Sequence, residues 1–287
     1  MRIMITGNSG FIGSALTKYL RKEHTVLGYS TSLGCDVLNY ALLERNVVEV
    51  DIVINCAAKI NMADRTDMSL APTNLQMAYN VFTACSRLGK PCIQVSSCEV
   101  FGNHDEPTPE TAIMQPTCSY NLGKIYCDML LLHMVDVGLL NGRIVRPFNP
   151  YGPSEKGKER IIRKFYNQVK QDKPITLYGD GSDFRDWTWE EDAARGIWDA
   201  HRLPAGEVVN LATGKATTNL EMAKLVMQIL GVKVPIQFMD YPSTHNRIYK
   251  QVGDASKAKR LLGWEPTVQL EEGLTRTFKE WDKATHG

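Results

Sequence analysis

No apolar run in the chain approaches the roughly 18 to 20 residues needed to cross a bilayer, and residues 1–20 open on a strand pattern with no charged segment or cleavage site. No membrane partner is expected, and the location is expected to be cytoplasmic. Charge of one sign is not in excess either. The net charge is +1, and Lys and Arg are scattered along the chain, so nothing calls for nucleic acid as a partner. The seven cysteines (Cys35, Cys56, Cys85, Cys92, Cys98, Cys118 and Cys127) contain no C-x-x-C pair and no histidine at ligand spacing. Their odd number argues against a complete disulfide framework, no metal centre is expected, and reduced thiols filling core positions are the expectation. Internal repeats, low-complexity tracts and flexible linkers are also missing.

What is present is ordinary globular chain. The 287 residues are 43% hydrophobic and 23% charged, which excludes disorder and fibrous classes and allows one large domain or two interleaved ones. Up to about residue 146, short apolar runs at 2–6, 25–29, 51–55, 91–96 and 142–146 alternate with segments at 11–21, 39–48, 72–88 and 119–137 whose apolar residues recur every three or four positions. That rhythm predicts a parallel sheet with crossover helices, an α/β Rossmann-type doubly wound fold. Continuous apolar strands such as "DIVIN" fit a sheet covered on both faces. Beyond "RPFNPYGP" the elements become smaller: a helix at 158–170, a strand at 175–178, and helices near 189–201, 218–230 and 269–284. Residues 1–150 read as a dinucleotide-binding domain to which 186–215 return, and 151–287 as a smaller, mixed α/β substrate domain.

The first strand runs straight into Gly7-Asn8-Ser9-Gly10-Phe11-Ile12-Gly13 and then a helix. Glycines permit a tight turn and close approach, and the N–H groups at the positive end of the helix face the negative charge of a pyrophosphate. An acid that would select NAD is expected about 20 residues further on, where Tyr29, Ser30 and Thr31 stand instead; no nearby Arg or Lys clearly selects NADP. The cofactor is therefore NAD or NADP, with a slight preference for NAD. Asp36 either hydrogen-bonds the adenine amino group or caps the helix that begins near Asn39.

Tyr120 and Lys124 in "CSYNLGK" are four apart and share one helical face. A free tyrosine is a poor base at neutral pH, and an ammonium neighbour favours the phenolate. With the glycine turn, Ser97 in "VSSCEVFG" and the Tyr–Lys pair in this order, the sequence resembles the extended short-chain dehydrogenases/reductases, the NAD-dependent epimerase/dehydratase family acting on sugar nucleotides. The resemblance covers nearly the whole chain. "MRIMITGNSGFIGSAL" looks like the family's opening, "NCAAKIN" its strand-end segment, "LYGDGSDFRDW" its nucleotide-binding turn and "DASKAKRLLGWEP" its C-terminal signature.

The resemblance implies that Gly7, Ser9, Gly10, Phe11, Ile12 and Gly13 belong to the cofactor site, with Ser30, Asp36, Val37 and Ala57, and with Lys124 on the nicotinamide ribose. It implies a catalytic set of Ser97, Cys98, Glu99, Tyr120 and Lys124, in which Ser97 hydrogen-bonds the sugar O4 and Tyr120 moves the proton there. Asn149, Tyr178, Arg185 and Arg247 would meet the substrate, Arg185 at its diphosphate. Each also has a plainer reading: Ser97 as a strand-end cap, Asn149 as a turn former, Arg185 as a surface ion pair. Two departures stand out. Phe101 occupies a position where tyrosine is usual, and the family's late G-R-x-x-D motif is not recognisable in "YPSTHNRIYK", so Arg247 would supply that cation from a shifted position.

Oxidation at C4 acidifies the proton on C5, and residues near that carbon decide the outcome. A glutamate at the place of Glu99 is what 4,6-dehydratases of the family use, so elimination of water is the preferred reaction. The same glutamate occurs in uronic-acid decarboxylases. The alternatives are 4-epimerisation, 3,5-epimerisation with 4-reduction using Cys98, decarboxylation, and a non-catalytic dinucleotide sensor. A homodimer through a four-helix interface of 72–88 and 119–137 is implied, although those apolar stripes suit packing within one chain equally well.

Overall fold

A computed structural model describes the chain except for residues 62, 63, 65, 66, 105, 158, 159, 242–246 and 287. Six strands form the central sheet: β1 (Arg2–Thr6), β2 (Thr25–Tyr29), β3 (Ile52–Asn55), β4 (Cys92–Val95), β5 (Gly142–Pro147) and, further on, β8 (Val208–Leu211). They run parallel in the order β2-β1-β3-β4-β5-β8. This confirms the doubly wound α/β fold. Alternation along a strand explains why the runs are apolar throughout. Ile3 and Ile5 enter one core cluster with Leu16, Leu20 and Ile197, while Met4 between them enters another with Leu43, Phe82 and Leu131.

The helices that cover the sheet are α1 (Phe11–Leu20), α2 (Tyr40–Val47), α3 (Leu70–Arg87) and α4 (Ser119–Asp136). The third starts two residues before the expected position, with Pro72 inside its first turn. That costs nothing, because N–H groups of a first turn have no intrahelical acceptor. Four cysteines (Cys85, Cys92, Cys98 and Cys127) are buried, and all seven are free thiols.

After β5 come α5 (Ile161–Lys170), β6 (Ile175–Tyr178), β7 (Phe184–Arg185), α6 (Glu190–Asp199), then β8, β9 (Thr217–Thr218), α7 (Asn219–Leu230), β10 (Ile236–Met239), β11 (Lys250–Gln251), α8 (Ser256–Leu262) and α9 (Leu270–His286). Residues 158 and 159 of the expected helix at 158–170 lie outside the described residues. The helices α5, α7 and α9 pack Phe165, Tyr166, Met222, Phe278 and Trp281 around β6 in a separate core. Asp186, fully buried after β7, ties the two regions together. It accepts from the Thr213 N–H and hydroxyl at 2.9 and 2.5 Å, and from the Gly214 and Gly253 N–H groups at 2.8 and 3.2 Å. Trp264, also fully buried, donates its indole N–H to the Asp192 carbonyl at 2.9 Å and so fixes the chain after α8 against α6.

Candidate active site

The strand order reverses between β1 and β3, and the crevice outside the carboxyl ends of these strands is where an open α/β sheet binds ligands. Gly7 leaves β1 in the left-handed region (φ +65°) and donates to the Tyr29 carbonyl at 2.8 Å; a Cβ there would lie 2.8 Å from the Ala57 backbone. The turn closes through Gly10 N–H to Gly7 O at 2.9 Å, and α1 begins at Phe11 with no side chain capping its first N–H groups. Those groups are left to an anion.

A cleft of about 210 Å³ follows, walled by Gly7, Ser9, Gly10, Ser30, Asp36, Val37 and Ala57. These are seven of the expected cofactor residues. Tyr29, Thr31, Cys35, Cys56, Ala58 and Met77 also line it, and sequence reasoning missed them as contacts. Neither Lys nor Arg, the usual partners of the extra phosphate of NADP, is among these lining residues. Phe11, Ile12 and Gly13 sit on the first turn of α1 outside the wall. Of the two roles left open for Asp36, the cap belongs elsewhere: Asn39 accepts from the Leu42 N–H at 3.2 Å, whereas Asp36 accepts from the Leu38 N–H at 2.9 Å within the cleft wall.

Ser97, two residues after β4, caps a short 3₁₀ turn over Cys98–Phe101 by accepting from the Glu99 N–H at 3.2 Å. The capping reading of Ser97 is therefore realised, and its hydroxyl hydrogen remains for a ligand oxygen. The turn places Glu99 in a second cleft of about 240 Å³, with Asn149, Pro150, Glu155, Arg160, Arg185 and Trp187 among its walls. Asn149 stands at φ +30°, where asparagine is tolerated, and donates to the Asp186 carbonyl at 3.0 Å and to the Gln251 amide oxygen at 3.2 Å. It is thus both a turn former and a lining residue. Arg185 lines the cleft and donates to the Phe184 and Ile248 carbonyls.

Tyr120 and Lys124 begin α4 one turn apart, with the Lys124 ammonium 6.0 Å from the Tyr120 ring centre. The ammonium does not pair with the phenol as expected; it donates to the Val95 carbonyl at 2.8 Å. Burial pushes the phenol above the ordinary tyrosine range and Glu99 adds to this, whereas Arg160 works in the opposite direction. Burial also holds Lys124 below the usual lysine value. The expected stabilisation of the phenolate by Lys124 is therefore not seen.

Three expectations fall beside the second cleft. Cys98 packs with Val100, Phe101 and Phe148 in an apolar cluster, and burial pushes its thiol up to about 12. Tyr178 stacks on Tyr241 with centroids 5.9 Å apart, and the Arg247 guanidinium lies 3.4 Å over the same Tyr241 ring. Arg247 is bound by both Asp183 carboxylate oxygens at 2.9 and 2.8 Å, so a counter-charge already meets it. Most of the loop before it, 242–246, lies outside the described residues. Phe101 is buried, with the Arg146 guanidinium 5.0 Å over its ring, so the missing tyrosine hydroxyl leaves a packed position. The cleft residues missed in the sequence are Pro150, Glu155, Arg160, Ile161, Ile162, Trp187 and Asn219.

Residues 3–212 match the family described as NAD dependent epimerase/dehydratase. The chain belongs to this family. UDP-glucuronic acid decarboxylase 2 of Arabidopsis thaliana is 29% identical, over 100% of this chain and 69% of that protein. Among solved structures, UDP-glucuronic acid 4-epimerase from Bacillus cereus, in complex with UDP-glucuronic acid and NAD, is 26% identical with a TM-score of 0.90, over 99% of this chain and 100% of that one. A dTDP-glucose 4,6-dehydratase double mutant from Streptomyces venezuelae, with NAD bound, is 25% identical with a TM-score of 0.90, over 100% of this chain and 98% of that one. Members of this NAD-dependent enzyme family share the fold yet perform three different reactions.

Proposed function

We propose that the protein oxidises the C4 of a sugar nucleotide's hexose onto bound NAD and then eliminates water across C5 and C6, a 4,6-dehydratase reaction. The supporting observation is the position of Glu99, whose carboxylate lines the same cleft as Asn149 and Arg185. Residues 1–150 with 186–215 would hold NAD, and the remainder of 151–287 the sugar nucleotide. The Gly7–Gly13 turn and the cleft bounded by Ser30, Asp36 and Ala57 suit the dinucleotide. NAD held by these residues would supply hydride-acceptor chemistry at C4, and burial keeps the Tyr120 phenol above the ordinary tyrosine range.

In this reading Ser97 donates to O4 and Tyr120 removes the O4 proton as the C4–H bond breaks. Glu99 then takes the proton from C5, acidified by the new C4 ketone, and the departing C6 hydroxyl receives that proton and leaves as water; the hydride taken from C4 is returned at C6 and a proton from solvent is added at C5. Arg185 and Arg160 hold the diphosphate, for which guanidinium forks are suited. Residues 153–170 contain no histidine to act with Cys98, which disfavours the 3,5-epimerase/4-reductase alternative. A second reading, decarboxylation of a uronic acid, draws support from the Arabidopsis relative. Two copies would pair through α3 and α4, where Tyr79, Tyr126 and Met129 are exposed.

The test is incubation with UDP-, GDP-, dTDP- and CDP-sugars followed by mass spectrometry, using wild type and Glu99→Gln. Wild type should yield a product lighter by one water. Glu99→Gln, nearly isosteric but unable to accept a proton at neutral pH, should accumulate reduced cofactor without that product and without solvent deuterium at C5. Loss of carbon dioxide, or C4 epimers with no deuterium at C5, would overturn the dehydratase reading.

A further inference from the structure

Glu155 is a carboxylate that the mechanism above does not use. It stands in the chain segment between β5 and α5, lines the same cleft as Glu99, and is only 4% exposed. Its Oε2 lies 4.0 Å from the Arg160 guanidinium, a loose contact, and its Oε1 is buried with no hydrogen-bond partner among the described residues. A buried carboxylate oxygen without a donor is costly to keep, so its donor is expected to arrive with the ligand.

The segment is held in place on both sides of Glu155. Ser154 gives its N–H and hydroxyl to the Glu190 carboxylate at 2.9 and 2.8 Å, and the Lys156 ammonium donates to the Ser9 carbonyl in the cofactor turn at 3.2 Å. Arg160 is fixed as well, donating to the Pro150 carbonyl at 3.3 Å with its guanidinium 5.1 Å over the Phe11 ring. Four ionisable side chains therefore line this cleft: Glu99, Glu155, Arg160 and Arg185. The two guanidiniums match the two charges of a diphosphate. Two carboxylates are then left for the sugar.

We propose that Glu155 is a specificity-determining residue whose free Oε1 accepts a hydrogen bond from a sugar hydroxyl and whose charge selects an uncharged hexose over a uronic acid. The inference rests on the sugar-nucleotide reading and narrows its substrate class, away from the uronates named for two of the relatives above. A sugar carboxylate brought within about 6 Å of Glu155 would be repelled by enough to lower affinity by tenfold or more at an effective dielectric of about 20. Burial also pushes Glu155 up to about 7; Arg160 and Arg163 oppose that rise and Glu190 adds to it. The selection should consequently weaken as pH falls through 7, where Glu155 becomes neutral.

The experiment is calorimetric binding of UDP, UDP-glucose and UDP-glucuronic acid to the NAD-loaded wild type and Glu155→Gln, at pH 8 and pH 6. UDP should bind both proteins within about twofold, which also reports that the variant is folded. Wild type at pH 8 should prefer UDP-glucose by about tenfold or more, the preference should shrink at pH 6, and in Glu155→Gln it should be small at both pH values. Equal binding of the two sugars by wild type, or an unchanged preference in Glu155→Gln, would overturn the role of Glu155 while leaving the sugar-nucleotide reading intact. Failure of UDP, UDP-glucose and UDP-glucuronic acid all to bind wild type would instead remove the uridine-nucleotide form of that reading, and this inference with it.

Discussion

Arg146→Met should be among the most destabilising single changes that leave the cleft linings untouched. Arg146 on β5 and Asp128 on α4 are 1% and 0% exposed; the guanidinium donates through Nε to one Asp128 oxygen at 3.0 Å, and its Nη2 is in ion-pair contact with the same oxygen at 3.0 Å. Ser96 adds a second hydrogen-bond donor at 2.9 Å. Methionine approximates the aliphatic part of arginine, so the loss is chiefly that of the charge, leaving a carboxylate buried without its counter-ion. Breaking a buried pair in this way costs about 3–5 kcal/mol. At about 2–4 °C per kcal/mol, the melting temperature should fall by about 6–20 °C. The double variant Arg146→Met/Asp128→Leu removes both charges and should recover most of the loss, because replacing such a pair with apolar groups is often close to neutral.

The pH dependence carries a definite sign. An aspartate whose folded-state pKa is raised favours the folded state in its protonated form, so the penalty in Arg146→Met grows as pH rises above the unfolded value of about 3.9, by about 1.4 kcal/mol per unit until the folded value is passed. Burial already raises Asp128 with Arg146 in place. Urea denaturation followed by circular dichroism at pH 5 and pH 8 measures both effects. A loss below about 1 kcal/mol at pH 8, or a double variant no more stable than the single one, would refute the reasoning.

Tyr120→Phe should keep its cofactor, since the ring still packs, and lose kcat by about 10²- to 10⁴-fold in steady-state assays; near-normal turnover would remove Tyr120 as the base. Arg185→Ala should mainly raise KM, because a diphosphate contact is made in ground and transition states alike, and a fall in kcat at constant KM would point to its bonds with the Phe184 and Ile248 carbonyls instead. Met129→Glu places a charge on the exposed face of α4 and should convert a dimer to a monomer in analytical ultracentrifugation; an unchanged mass would place any dimer contact elsewhere.

How far the sequence reveals this molecule depends on where each element gets its stability. β1, β3, β4 and β5 are legible because each is a run buried on both faces, and burial on two faces leaves an apolar word such as "DIVIN" or "RIMIT" in the chain. The two-residue strands β7, β9 and β11 leave no such word. They are aligned by Asp186, whose acceptors reach Thr213, Gly214 and Gly253 across long stretches of sequence. The same distinction divides the site. Ser97 and Glu99 follow a strand and Tyr120 and Lys124 start a helix, positions that spacing makes legible, and of the four Glu99 is the one that lines the second cleft. Spacing nevertheless does not fix what a side chain bonds: the four-residue interval puts Lys124 beside Tyr120, but the Val95 carbonyl takes its ammonium. Glu155 and Arg160 belong to "SEKGKER", a charged stretch that reads in sequence as solvated surface. Clamping of Ser154 on Glu190 and of Lys156 on the cofactor turn makes Glu155 an interior residue. Both clamps are tertiary contacts, so the acid best placed to discriminate between sugars carries no local signature at all.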